Sequence, residues 1–224
     1  MAHAKEEVEE MAGVASALVL NLGTLWPEQV DAMLMAGRRA NERKIPIVLD
    51  PVGVGATQLR TRSARRLLQE LSIAIVRGNA AEIASLAGVE AEISGVESVS
   101  VGGDAAVIAE KFAREQSCVA VITGAVDIVT DGVRLVRVAN GHRMMSTVTG
   151  TGCMATAVIG ACAAVEGDVV AAAAAALAAY GLAGELAAER SQGPGTFQVH
   201  LYDVLAELTE DEMRKGVRIL QGRE

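Results

Sequence analysis

The sequence predicts an α/β fold, a mostly parallel sheet covered by helices, and three observations predict it. Short apolar runs alternate with stretches of helical period, giving strand–helix units of similar length through the first half of the chain. Those runs are apolar on successive residues rather than on alternate ones, as strands buried on both faces are. Late in the chain, "AVDIVTDGVRLVRVAN" alternates around Asp131-Gly132, the pattern of an antiparallel hairpin.

Taken in order, residues 3–13 carry Glu6, Glu7, Glu9 and Glu10 around Val8 and Met11, a helix with a solvated acidic face. "SALVLN" (16–21) is a strand that ends polar. Thr24 can cap the following helix, Pro27 suits its first turn, and Val30, Met33, Leu34 and Ala40 form its apolar stripe. "IPIVLD" (45–50) is a buried strand, "RSARRLLQELS" a helix, "IAIVRGN" a strand, and "AAEIASLAG" a helix closed by Gly88. A helix over about 103–116 leads to the strand "CVAVITG" and then to the hairpin. The remainder reads as helical: 151–165, 168–188, and a pair near 198–218. With no linker, repeat or low-complexity tail, residues 1–224 are expected to form one domain.

Composition narrows the function classes. Half of the 224 residues are hydrophobic, enough for a large core. A net charge of −8 argues against a nucleic-acid partner, and five aromatic residues argue against a base-stacking platform. Cys118, Cys153 and Cys162 show no CxxC spacing and cannot all pair, and His3, His142 and His200 are scattered. Neither a disulfide framework nor a zinc site is indicated, and a cytoplasmic location is expected. The acidic "MAHAKEEVEE" is unlike a signal peptide. "VVAAAAAALAAYGLAG" falls short of the ~20 apolar residues of a membrane span and runs into Glu185, so it reads as a closely packed core helix.

Ligands of open α/β sheets sit beyond the carboxyl ends of the strands. After "IPIVL" comes "DPVGVGAT", with Asp50, Gly53, Gly55 and Thr57; after "IAIV" comes "RGNAAE", with Arg77, Gly78, Asn79 and Glu82. Thr123-Gly124 follows "VAVI", and "TGTGC" follows the hairpin. Singly, each has a plain structural reading: Asn79 as a helix cap, Arg77 as a surface ion-pair partner. Together they suit phosphoryl transfer. Carboxylates hold magnesium, an arginine neutralises phosphate, and glycines at 150 and 152 bring backbone N–H groups at a helix N-terminus against phosphoryl oxygens. No G-x-x-x-x-G-K-[ST] string occurs, and no G-x-G-x-x-G opens a helix after the first strand.

"DPVGVGAT", "RGNAAEI", "VITG" and "VTGTGCMATA", in this order and at these separations, resemble the hydroxyethylthiazole kinase family of the ribokinase-like superfamily, from Met1 to about residue 210. The resemblance implies a three-layer α/β/α fold and ATP-dependent phosphorylation of the alcohol of 4-methyl-5-(2-hydroxyethyl)thiazole, a step of thiamine salvage. It implies Arg77, Thr123 and Asn79 on the ATP side, Asp50 and Glu82 as magnesium-side carboxylates, and Met1 and Gly150 on the thiazole. It also implies a homotrimer with sites between subunits. Cys153 stands where related sugar kinases carry an aspartate base, and a thiol at a helix N-terminus can accept a proton. The alternative is that Cys153 is only a small helix residue. Cys162, nine residues on, falls on the opposite helix face and is expected in the core. The family's chain begins some forty residues earlier, with a strand and a helix. Either Met1 is an internal methionine of a longer chain, or the protein is shortened, in which case part of the thiazole pocket's wall is expected to be missing.

Two other functions fit the same residues less well. A nicotinamide-nucleotide-hydrate repair enzyme shares the fold, but "DPVGVGAT" combined with "GTGC" speaks against it. A catalytically dead nucleotide-binding or assembly protein would follow from a missing N-terminal segment.

Overall fold

The computed structural model describes residues 3–89 and 105–221. Among the described residues one sheet holds seven strands in chain order: β1 (Leu18–Asn21), β2 (Ile47–Asp50), β3 (Ile75–Asn79), β4 (Val119–Thr123), β5 (Asp127–Thr130), β6 (Leu135–Val138) and β7 (Ile219–Gln221). β1 to β4 are parallel to one another, and β5, β6 and β7 each run antiparallel to the strand before. The helices are α1 (Val8–Val14), α2 (Pro27–Glu42), α3 (Gln58–Glu70), α4 (Ala80–Leu86), α5 (Ala105–Gln116), α6 (Thr151–Ala163), α7 (Val169–Glu189), α8 (Pro194–Glu207) and α9 (Glu210–Gly216).

The two faces of the sheet are packed differently. On one, Leu20, Ile47, Leu49, Val76 and Ile122 meet Leu34 of α2, Leu67 of α3, Ile83 of α4 and Phe112 of α5. On the other, Val48, Ile75, Val119, Val121 and Val129 meet the alanine-rich α6 and α7. α1 packs on α2 through Val8, Ala12, Ala32 and Ala36. Small residues let α6 lie close to the strands: a Cβ on Gly160 would stand 2.8 Å from a methyl of Val19. α7 is long and apolar enough to cross a membrane, but 67% of its most apolar stretch is buried in the protein, as a core helix would be.

Several boundaries depart from the sequence expectation. Trp26, not Thr24, occupies the N-cap of α2, in extended backbone and without a side-chain cap, while Pro27 takes the first position as expected. α3 starts at Gln58, four residues before "RSARRLLQELS", because the Thr57 hydroxyl accepts the Arg60 N–H at 3.3 Å. The first helix begins at Val8 rather than residue 3. The helix expected from 103 begins at Ala105, residues 103 and 104 lying outside the described residues. After α9 the chain does not stay helical: residues 219–221 add β7 beside β6.

Candidate active site

Parity within the strands gathers the polar residues. Alternate side chains of a strand point to opposite faces, so a residue two positions beyond an inward valine shares its face. Asn21 follows Val19, Asp50 follows Val48, Arg77 follows Ile75, Thr123 follows Val121, and Asp127 precedes Val129. All five therefore lie on the face covered by α6 and α7. Register completes the assembly, pairing Asn21 with Asp50 and Asn79 with Thr123 across parallel neighbours.

Asp50 is fully buried. Its Oδ2 accepts from Asn21 Nδ2 at 2.9 Å and from the Thr156 hydroxyl of α6 at 2.8 Å. Arg77 Nη1 stands 3.7 Å from the same oxygen, an ion pair without a direct hydrogen bond. Oδ1 has no partner among the described residues. Burial raises the Asp50 pKa above the ordinary carboxylate value, opposed first by the Arg77 charge and then by Thr156, Asn21 and Cys153.

Arg77 donates from Nη2 to the Thr123 hydroxyl at 2.6 Å, and its buried Nε has no partner among the described residues. Its guanidinium lies directly against the start of α6, where a Cβ on Gly152 would stand 2.8 Å from Nη1. Gly150 takes the N-cap of α6 at φ +97°, a left-handed conformation that disfavours a side chain. The Thr151 hydroxyl donates to the carbonyls of Met145 (2.6 Å) and Val148 (3.0 Å), and the buried Tyr180 hydroxyl of α7 donates to the Thr151 carbonyl at 2.9 Å. These bonds fix the loop, leaving Thr149, Gly150 and Cys153 exposed on its outer side. The N–H groups of Gly152 and Cys153 precede any i−4 carbonyl of their own helix and so remain available to an anion.

Glu82 and Asn79 form a reciprocal cap at the start of α4. Glu82 N donates to Asn79 Oδ1 at 2.9 Å, and Asn79 N donates to Glu82 Oε2 at 2.8 Å. Glu82 Oε1 accepts from Gly53 N in the β2–α3 loop, also at 2.8 Å. Burial is the main cause of a raised Glu82 pKa; the two backbone N–H groups oppose it and the Asp50 charge adds to it. The plain reading of Asn79 as a helix cap is therefore correct, and its side-chain oxygen is committed.

Asp127 is a member that strand-end reading passed over, because it opens a hairpin strand instead of closing a parallel one. It is buried and accepts from Gly124 N at 2.9 Å. Burial pushes its carboxyl up to about 6, against the Gly124 N–H and the Arg77 charge. Asn21 and Thr156 were equally unmarked, and strand and helix parity was the one signal that could have found them. Cys162 is partly buried against the α6–α7 core, away from the exposed Cys153 on the same helix. Met1 lies outside the described residues.

Comparison with known proteins identifies the family. The family model described as "Hydroxyethylthiazole kinase family" matches residues 1–211. A hydroxyethylthiazole kinase of Desulfatibacillum aliphaticivorans is 51% identical over 98% of this chain and 82% of its own length. One of Chloroflexus aurantiacus is 55% identical over 98% of this chain and 81% of its own. The solved hydroxyethylthiazole kinase protein of Pyrococcus horikoshii OT3 superposes with a TM-score of 0.91 at 41% identity, covering 100% of this chain and 84% of that one. A Bacillus subtilis pyridoxal kinase, solved as an ADP complex, shares the fold alone at 22% identity and a TM-score of 0.52, over 72% of this chain and 60% of its own. The chain belongs to the hydroxyethylthiazole kinase family, with the ribokinase-like three-layer fold.

Proposed function

We propose that this chain transfers the γ-phosphoryl group of ATP to the hydroxyl of 4-methyl-5-(2-hydroxyethyl)thiazole, the thiamine-salvage reaction. One observation carries the reading: in a member of this kinase family, Arg77 is clasped between the Asp50 and Thr123 strand tips and the glycine-rich start of α6. Neither a nucleotide-hydrate repair enzyme nor a dead binding module gains a comparable observation.

Arg77 and Thr123 hold the triphosphate, with Asn79 beside them on the nucleotide side. The Gly152 and Cys153 N–H groups meet charge on the transferring phosphoryl, where preorganised donors act most strongly. Gly150 forms the lip toward the thiazole, and Met1, which lies outside the described residues, is the second thiazole contact proposed. Cys153, exposed in the first turn of α6, accepts the hydroxyl proton as the oxygen attacks.

The acidic residues suit magnesium. Among the described residues Asp50 Oδ1 is a buried acceptor with no partner, and each Glu82 oxygen keeps lone pairs beyond the one N–H it accepts. No group of three or more His, Cys, Asp or Glu could cage a metal among the described residues, which fits an ion held chiefly by phosphate oxygens and water. When bound, magnesium neutralises the triphosphate. Free cysteines fit a cytoplasmic location. A homotrimer is the expected assembly, and Val199 and Tyr202, exposed on α8, supply apolar surface for a contact; light scattering measures its mass.

Thiazole-dependent ADP release from ATP and magnesium tests the whole reading, and nucleotide binding without release would refute it. For Cys153, the pH–rate profile should change between the native protein and Cys153→Asp, whereas profiles flat from about pH 6 to 9 in both would remove the base role.

A further inference from the structure

A cation in the first turn of a helix opposes the helix dipole, so Arg60, third in α3, asks for a reason. It has no carboxylate partner among the described residues. Instead its guanidinium serves backbone carbonyls at two strand tips. Nη1 donates to the Leu22 carbonyl after β1 and, at 2.8 Å, to the Val52 carbonyl after β2; Nη2 donates to the Gly23 carbonyl at 2.8 Å. A planar, rigid fork suits this task and an ammonium group does not.

From this hub two short chains of hydrogen bonds run to two of the site's acidic residues, Glu82 and Asp50. Beside Val52, Gly53 donates its N–H to Glu82 Oε1 at 2.8 Å. Gly53 sits at φ +74°, and a Cβ there would stand 2.9 Å from Arg60 Cδ, so the loop lies directly on the arginine side chain. On the other side, Gly23 N donates to Asn21 Oδ1 at 2.7 Å, and Asn21 Nδ2 donates to Asp50 Oδ2 at 2.9 Å. One side chain thus ties the loops that orient both carboxylates, though it touches neither.

We infer that Arg60 is a positioning residue that sets the separation and orientation of Asp50 and Glu82, and with them the affinity for a metal–nucleotide. The inference rests on the reading above that these two carboxylates face the metal. Arg60→Lys keeps the charge and loses the fork, while Asn21→Ser cuts only the arm to Asp50. The direct readout is binding of Mn²⁺ together with a non-hydrolysable ATP analogue, followed by electron paramagnetic resonance, with thermal melting as the check on folding.

Arg60→Lys should melt cooperatively, weaken Mn²⁺–nucleotide binding roughly tenfold or more, and lower kcat with little change in the KM for the thiazole alcohol. Asn21→Ser should weaken metal binding by a smaller factor, about threefold. Native metal affinity in a folded Arg60→Lys overturns the inference. If that variant fails to fold, native metal affinity in Asn21→Ser overturns it. Because metal binding is read without turnover, a native protein that binds Mn²⁺ and nucleotide but phosphorylates no thiazole refutes the proposed reaction and leaves this result standing.

Discussion

The two faces of the sheet are built from different residues and do different work. Under α2 to α5 the contacts are large: Leu34, Leu67, Ile83 and Phe112 fill the space, and the face carries stability. Under α6 and α7 the contacts are mostly alanine and valine, with Ile75, Ile159 and Leu177 the larger exceptions, and by strand parity the polar strand-end residues of the site lie there. Small residues bring α6 so close that its first turn touches Arg77 and Thr156 reaches Asp50. A bulky helix face would hold that N-terminus away from the strand tips. The difference shows that a catalytic face trades side-chain volume for reach.

Exchanging the properties of the two faces tests this. Leu67→Ala, on the bulky face, empties a fully buried site and should destabilise the protein by about 2–5 kcal/mol, with kcat/KM per folded molecule unchanged. Denaturant titration beside a rate assay separates the two effects. Gly152→Ala should do the reverse. Its methyl would displace the tip of Arg77, so activity should fall about 100-fold, roughly 2.7 kcal/mol of transition-state stabilisation, while the melting temperature hardly moves.

Asp127 sharpens the comparison through pH. Its folded pKa of about 6 exceeds the ordinary 3.8, so between these values the native protein holds a proton that the unfolded chain has released. Stability should therefore fall as pH rises through that window, by about 2–3 kcal/mol. Asp127→Asn can still accept the Gly124 N–H and should flatten the melting temperature between about pH 4 and 6. An unchanged slope would show that the charge is not what the small-residue face strains to hold. The smallest change is Gly160→Ala, whose methyl crowds Val19. About 1–2 kcal/mol of destabilisation with retained turnover is expected, because the crowding lies farther along α6 from Arg77.

Much of this was legible before any coordinates. β1 to β4 were readable because strands buried on both faces leave unbroken apolar runs, and the hairpin because Asp131-Gly132 interrupts an alternating pair. β7 was not, since three residues at a sheet edge carry no pattern until β6 offers its hydrogen bonds. Strand-end position singled out Asp50, Arg77 and Thr123, and the structure brings them into contact. Asn21, Thr156 and Arg60 escaped because each acts through a partner distant in sequence: Thr156 meets Asp50 across 106 positions, and Arg60 meets Gly23 across 37. Asp127 escaped because it opens a hairpin strand instead of closing a parallel one.

By itself the sequence determined the order of β1 to β6 and their helices, the parity that puts polar strand ends on one face, and the glycines that open α6. Those are local properties, set by residue type and spacing along a short stretch of chain. Only the tertiary structure decided which oxygen of Asp50 is saturated and which is bare, that Asn79 spends its oxygen on Glu82, and that Arg60 ties two loops together. Hydrogen bonds depend on distances of tenths of an ångström between residues far apart in the chain, and only the packing of helices on the sheet fixes those.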